Sequence, residues 1–164
     1  MTARYPEAAQ PVLNAGRLWV GGLATALVAA LIATAGILLG RGVFGVDVLA
    51  PKGDGVWGDA STGWYALGAA GASLVATAVL HLLVRFAPRP MLFFGWLMAL
   101  ATIVAMIGPF IAEDGLGSRL YTATLNLILG VAIGTLVAGS ARSALRPPVP
   151  SPAAGPYTYD SELP

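Results

Sequence analysis

Charged residues divide the chain into four long uncharged stretches, Leu18–Gly40, Ala60–Val84, Pro90–Ala112 and Leu120–Ala141. Each is long enough to carry an α-helix across roughly 30 Å of hydrocarbon, which takes about 20 apolar residues. The pattern therefore predicts an all-α fold, an integral membrane bundle of four transmembrane helices. Ala33-Thr34-Ala35 could pass for a signal-peptidase site, but the apolar run continues to Gly40, beyond a signal core of about 7–15 residues. The first stretch is read as an uncleaved span.

The connections set the expected organisation. Residues 1–16 form a short mixed N-terminal segment, 17–144 the membrane domain, and 145–164 a proline-rich tail too polar to pack, with a PxxP spacing at Pro147 and Pro150. The loop 41–59 holds Asp47, Lys52, Asp54 and Asp59 but also Val46, Val48, Leu49 and Trp57, which is too apolar for a solvated linker. It is expected to fold over the helix ends. Asp59, just before the second span, is expected to cap that helix. The links 85–89 and 113–119 are short, so helices two to four are expected as antiparallel neighbours, with helix one held more loosely.

Arginine placement orients the bundle. Arg4, Arg17, Arg85, Arg89, Arg142 and Arg146 fall on one side, Arg41, Lys52 and Arg119 on the other, so both termini are expected in the cytoplasm. Aromatics such as Trp19, Trp64, Tyr65, Trp96 and Tyr121 lie near the span ends and read as interface anchors.

Composition agrees with this frame and narrows the chemistry. Of 164 residues, 57% are hydrophobic and 10% charged, and the mean hydropathy is +0.76, values outside the range of soluble domains. The net charge of +1 is confined to loops and tails, and no basic patch with interleaved aromatics points to nucleic acid. The chain has no cysteine, which removes disulfides, thiolate nucleophiles and thiolate metal sites. No Asp, Glu, Lys or Arg lies within a span, which argues against proton- or cation-coupled transport. The acids Asp47, Asp54, Asp59, Glu113 and Asp114 match no calcium-loop spacing and read as a solvated rim. No catalytic residue, cofactor site or metal site is assigned, and the chain is read as non-enzymatic.

Small residues carry the specific part of the pattern. Gly36 and Gly40 form one GxxxG and Gly130 and Gly134 another, with Gly22-Ala26-Ala30-Thr34 and Gly68-Ala72-Ala76 as further stripes at i, i+4. Such faces let helices approach closely in lipid. They are expected in the bundle interior or at a seam between subunits.

The polar membrane positions are Ser73, Thr77 and His81 on helix two and Asn126 on helix four. His81 lies about 20 residues into its span and Asn126 about 6 into its own, a depth difference of about 20 Å at 1.5 Å per residue, so they are not expected to touch. His81 is expected near the cytoplasmic boundary, hydrogen-bonded to a carbonyl or hydroxyl, rather than as a proton relay or haem ligand. Asn126 is expected to join helices.

Leu18-Trp19-Val20-Gly21-Gly22, Val48-Leu49-Ala50-Pro51 with Trp57-Gly58-Asp59, Pro88-Arg89-Pro90 before Phe93-Phe94-Gly95-Trp96, and Asn126-Leu127 before Gly130 and Gly134 together resemble an uncharacterised actinobacterial family of four-helix integral membrane proteins, a domain of unknown function. The resemblance covers roughly Arg17 to Ala144 and implies a bacterial inner (plasma) membrane protein, with no activity or ligand to carry over. Two readings follow. One is action through helix–helix association within the lipid bilayer, as a homo-oligomer or with another membrane protein. The alternative is a small oligomeric channel or uncoupled carrier lined by Ser73, Thr77 and His81.

Overall fold

The computed structural model describes residues 14–51 and 57–144. Most of the N-terminal segment, Lys52, Asp54 and Val56 of the loop, and the tail with Pro147 and Pro150 lie outside the described residues. Among the described residues are four long helices, α1 (Ala15–Leu39), α2 (Thr62–Phe86), α3 (Pro90–Ile107) and α4 (Leu116–Ala144). All four are long and apolar enough to cross a membrane, with mean hydropathies of 1.8 to 2.3 over their most apolar windows. Between α1 and α2 lies an antiparallel hairpin of β1 (Leu49–Pro51) and β2 (Trp57–Asp59), in the register Leu49 to Asp59 and Pro51 to Trp57.

Local chemistry sets the helix ends. The Asn14 side chain caps α1 by accepting from the Arg17 N–H, and the Asn14 N–H donates to the Ala144 carbonyl at 3.1 Å. That bond ties the start of α1 to the end of α4, so both ends of the helical domain lie at one end of the bundle, here the terminal end. At the opposite, hairpin end, α1 widens into a π-turn at Gly40–Phe44 and stops at Gly45, whose φ of 63° suits a residue without a Cβ. Ala87 is extended because it precedes Pro88, and this ends α2. Pro90 opens α3 at its first turn. Pro109, which has no N–H to continue the ladder, sits in the 3-10 turn Gly108–Ile111 that finishes the third span. α4 begins at Leu116 rather than Leu120, since Gly117, Ser118 and Arg119 are helical although not apolar.

The packing order differs from the one expected. α1 makes the most extensive contacts, packing against both α2 and α4, while α3 is held mainly by α4 and meets α2 over a smaller contact. Short links bring only the joined ends together, and side-chain size decides the rest. A Cβ at Gly22 would overlap Thr77 of α2, and one at Gly36 or Gly40 would overlap Leu125 or Tyr121 of α4. These near backbone contacts let Ala29, Ala33 and Ile37 join Leu80, Leu129, Ile133 and Val137 in one core.

The hairpin folds back over the helix ends. Val48 and Leu49 are buried, the Leu49 N–H donates to the Thr122 hydroxyl of α4 at 3.0 Å, and the Ala60 N–H donates to the Val48 carbonyl at 2.7 Å. Asp59 does not cap α2, contrary to expectation. It lies in β2, Ser61 takes the cap position without a side-chain bond, and the Asp59 carboxylate accepts from Arg41 instead. The same guanidinium donates to the Ala60 carbonyl at 2.6 Å.

Candidate functional site: a cleft between α2 and α3

α2 and α3 leave their three-residue link together and bound a cavity of about 1070 Å³ that extends to the hairpin end. Its walls are α2 and α3, its floor is α4, and Ala50, Pro51 and Asp59 of the hairpin roof one end. Val75 and Leu97, on opposite walls, are both exposed, so the cavity opens sideways between them. In a membrane that side faces lipid. The α2 wall carries the stripe Gly68, Ala72 and Ala76. A Cβ at Gly68 would meet no atom within 4 Å and Ala72 is exposed, so this part of the stripe lines the cleft without seating a neighbouring helix, whereas Ala76 is buried in the core.

Polar groups gather at the roofed end. The Tyr65 hydroxyl of α2 donates to Asn126 Oδ1 of α4 at 2.5 Å, and Asn126 Nδ2 donates to the Ala105 carbonyl of α3 at 2.7 Å. One asparagine thus joins three helices at the level where α2 and α3 stand apart. A position near a span end predicts only an anchoring role for Tyr65. The depth count that separates His81 from Asn126 puts Tyr65 and Asn126 within about two residues of the same level, and that was the available signal. Tyr121, likewise read as an anchor, donates to the Gly36 carbonyl at 2.7 Å and lies 5.6 Å, centroid to centroid, from Phe44.

The other polar positions are elsewhere. Ser73 and Thr77 are fully buried against α1, with the Ser73 hydroxyl 3.4 Å from the Gly22 carbonyl and the Thr77 hydroxyl donating to the Ser73 carbonyl at 2.9 Å. His81 follows Tyr65 by sixteen residues on α2, about 24 Å along the axis, so it has no part in the Asn126 cluster. Its Nδ1 is buried and makes no hydrogen bond, so the carbonyl or hydroxyl partner expected for it is missing at that atom.

A second, shallower groove of about 540 Å³ lies on the other flank of α3, against α4. Gly95 and Ala99 of α3 and Gly134 and Ala138 of α4 line it. Gly130 sits deeper in the same contact, where a Cβ would overlap the Thr102 side chain.

The pattern of a family of unknown function, DUF6069, matches residues 13–143. The chain belongs to this family. The DUF6069 match takes in all of α1 to α3, the hairpin and nearly all of α4, so both grooves flanking α3 and the Tyr65–Asn126–Ala105 cluster lie within it. No curated protein and no solved structure matches the chain.

Proposed function

We propose that this DUF6069 protein is a non-enzymatic protein of an actinobacterial plasma membrane that acts by helix–helix association, through another copy or a second membrane protein. The observation that carries this reading is the groove between α3 and α4. Two small residues from each helix, Gly95 and Ala99 with Gly134 and Ala138, line one surface, and small residues are what allow a further helix to approach closely in lipid. α3 has the free surface such a role needs, since Phe94 is its only buried residue.

The pore reading has less support. Ser73 and Thr77 would have to face a lumen between subunits, whereas both hydroxyl groups are enclosed between α1 and α2 of one protomer. Among the described residues, Arg17, Arg85, Arg89 and Arg142 near the terminal end, against Arg41 and Arg119 near the hairpin end, support the reading of a cytoplasmic terminal end.

The absence of native cysteine makes a direct test available. Ala99→Cys is expected to form a disulfide-linked or cross-linked adduct in native membranes, and Leu31→Cys, on the exposed face of α1, is expected to form none. If the two variants are equally silent, association through this groove is wrong.

A further inference from the structure

We infer that Pro109 and Asn126 form a clamped hinge near the hairpin end of α3, in which the proline leaves the Ala105 carbonyl without its helical partner and the asparagine, held by Tyr65, supplies the donor. The hinge lies in the α3 backbone and is independent of association through the α3–α4 groove.

The break follows from the hydrogen-bond ladder. In an α-helix the carbonyl of residue 105 accepts from the amide of residue 109, and residue 109 here is a proline, which has no N–H to give. The other amide within reach, that of Gly108, donates to the Val104 carbonyl. Ala105 therefore needs a donor from outside α3. It lies six residues before Ile111, the end of the third span, or about 9 Å along the axis, a depth at which lipid offers no donor. Asn126 Nδ2 of α4 donates to this carbonyl at 2.7 Å. Among the described residues, no other hydrogen bond joins α3 to another helix. A break of this kind is tolerated in a membrane helix when a neighbouring helix satisfies the freed group.

The other end of the same amide group is held as well. Asn126 Oδ1 accepts from the Tyr65 hydroxyl of α2 at 2.5 Å, so the side chain cannot turn away from Ala105 without giving up both bonds. Packing leaves the break to this clamp. On one side of it Phe94 is buried and Thr102 lies against Gly130, and on the other Pro109 and Ala112 are buried, whereas no residue of Ile103–Ile107 is. The backbone between the two seats is where α3 bends once Asn126 lets go. Ala105 and Asn126 both line the α2–α3 cleft, so bending there changes the cleft at its hairpin end.

The test is hydrogen exchange of the full chain in lipid nanodiscs, read over the α3 amides on either side of the break. Asn126→Leu should speed exchange at residues 106–112 about tenfold, as for a carbonyl left without a donor away from water, while residues 91–97 keep their protection. Pro109→Ala returns an N–H to the ladder. In that background Asn126→Leu should speed exchange by less than about twofold. Each comparison is made within one background, so any loss from removing the buried proline ring cancels. Tyr65→Phe, which frees only the other end of the amide, should give about threefold faster exchange in the native chain and no change with Pro109→Ala. That pair of variants carries the test if Asn126→Leu fails to insert. Equal acceleration with and without Pro109→Ala would show that the proline does not create the unmet carbonyl, and overturns the proposal. Unchanged exchange in Asn126→Leu, or acceleration spread evenly along α3, overturns it too.

Discussion

α1 and α3 are nearly equal in hydropathy, 2.3 and 2.2, yet 39% of the most apolar window of α1 is buried against the rest of the protein and 6% of that of α3. In a soluble domain two such helices would both be driven into the core. In a membrane the lipid is as apolar as leucine, so hydropathy reports the solvent and says little about neighbours. What separates the two is where small residues meet a partner. α1 puts Gly21, Gly22, Gly36 and Gly40 against side chains of α2 and α4, whereas Gly95 of α3 and Gly68 of α2 face open space.

The sharpest way to extend that contrast is Gly130→Leu, at the glycine of α4 against which Thr102 of α3 is seated. A side chain there collides with Thr102, and overpacking of this kind is expected to cost about 1–3 kcal/mol and to loosen α3 while α1, α2 and α4 stay together. Steric-trapping measurements of unfolding, with cross-links reporting each helix pair, would show it. A loss of α1–α4 contact before α3–α4 contact would break the comparison. Next in size is Thr122→Val, which leaves the buried Leu49 N–H without its acceptor at a cost of about 1–3 kcal/mol. Hydrogen exchange at Leu49 should speed up while the α4 amides keep their protection.

Smaller effects belong to the polar link across the cleft. Tyr65→Phe should lower stability by about 0.6 kcal/mol, the average for a side-chain hydrogen bond between helices in lipid. Combined with Asn126→Leu the losses should not add, because both remove the same bond. Full additivity would place Tyr65 outside the cluster. Arg41→Ala should have the least effect, below about 1 kcal/mol and weaker in high salt, since the two side chains are 36% and 49% exposed.

Span existence was legible in the uncharged runs, and the differences at their ends have local causes. Gly117-Ser118-Arg119 is helical without being apolar, and Pro109 turns the last residues of the third run into a 3-10 turn. Neighbour order was not legible from loop length, because a three-residue link fixes one end of α2 and α3 and leaves the other free to part. Gly68 and Ala72 have the same i, i+4 spacing as the packed face of α1, and so does the buried Ala76 one turn on, so spacing alone could not tell a seat from the wall of a cleft. The Tyr65–Asn126 pairing was within reach of depth counting. The pairing of Asp59 with Leu49 was not legible, because the hairpin has no strong apolar alternation to mark it and only Ala60 separates Asp59 from the cap residue Ser61.

The most direct measurement compares Gly22→Leu with Gly68→Leu in the same bilayer, reading the free energy of unfolding by steric trapping. At Gly22 the added side chain runs into Thr77, with a Cβ already 2.5 Å from its hydroxyl oxygen, and at Gly68 it enters open space. The expected result is a loss of about 1–3 kcal/mol for the first and a change within about 0.5 kcal/mol for the second. Equal losses, or a larger loss at Gly68, would mean that α2 presents its small-residue stripe to a helix and that no open cleft lies between α2 and α3.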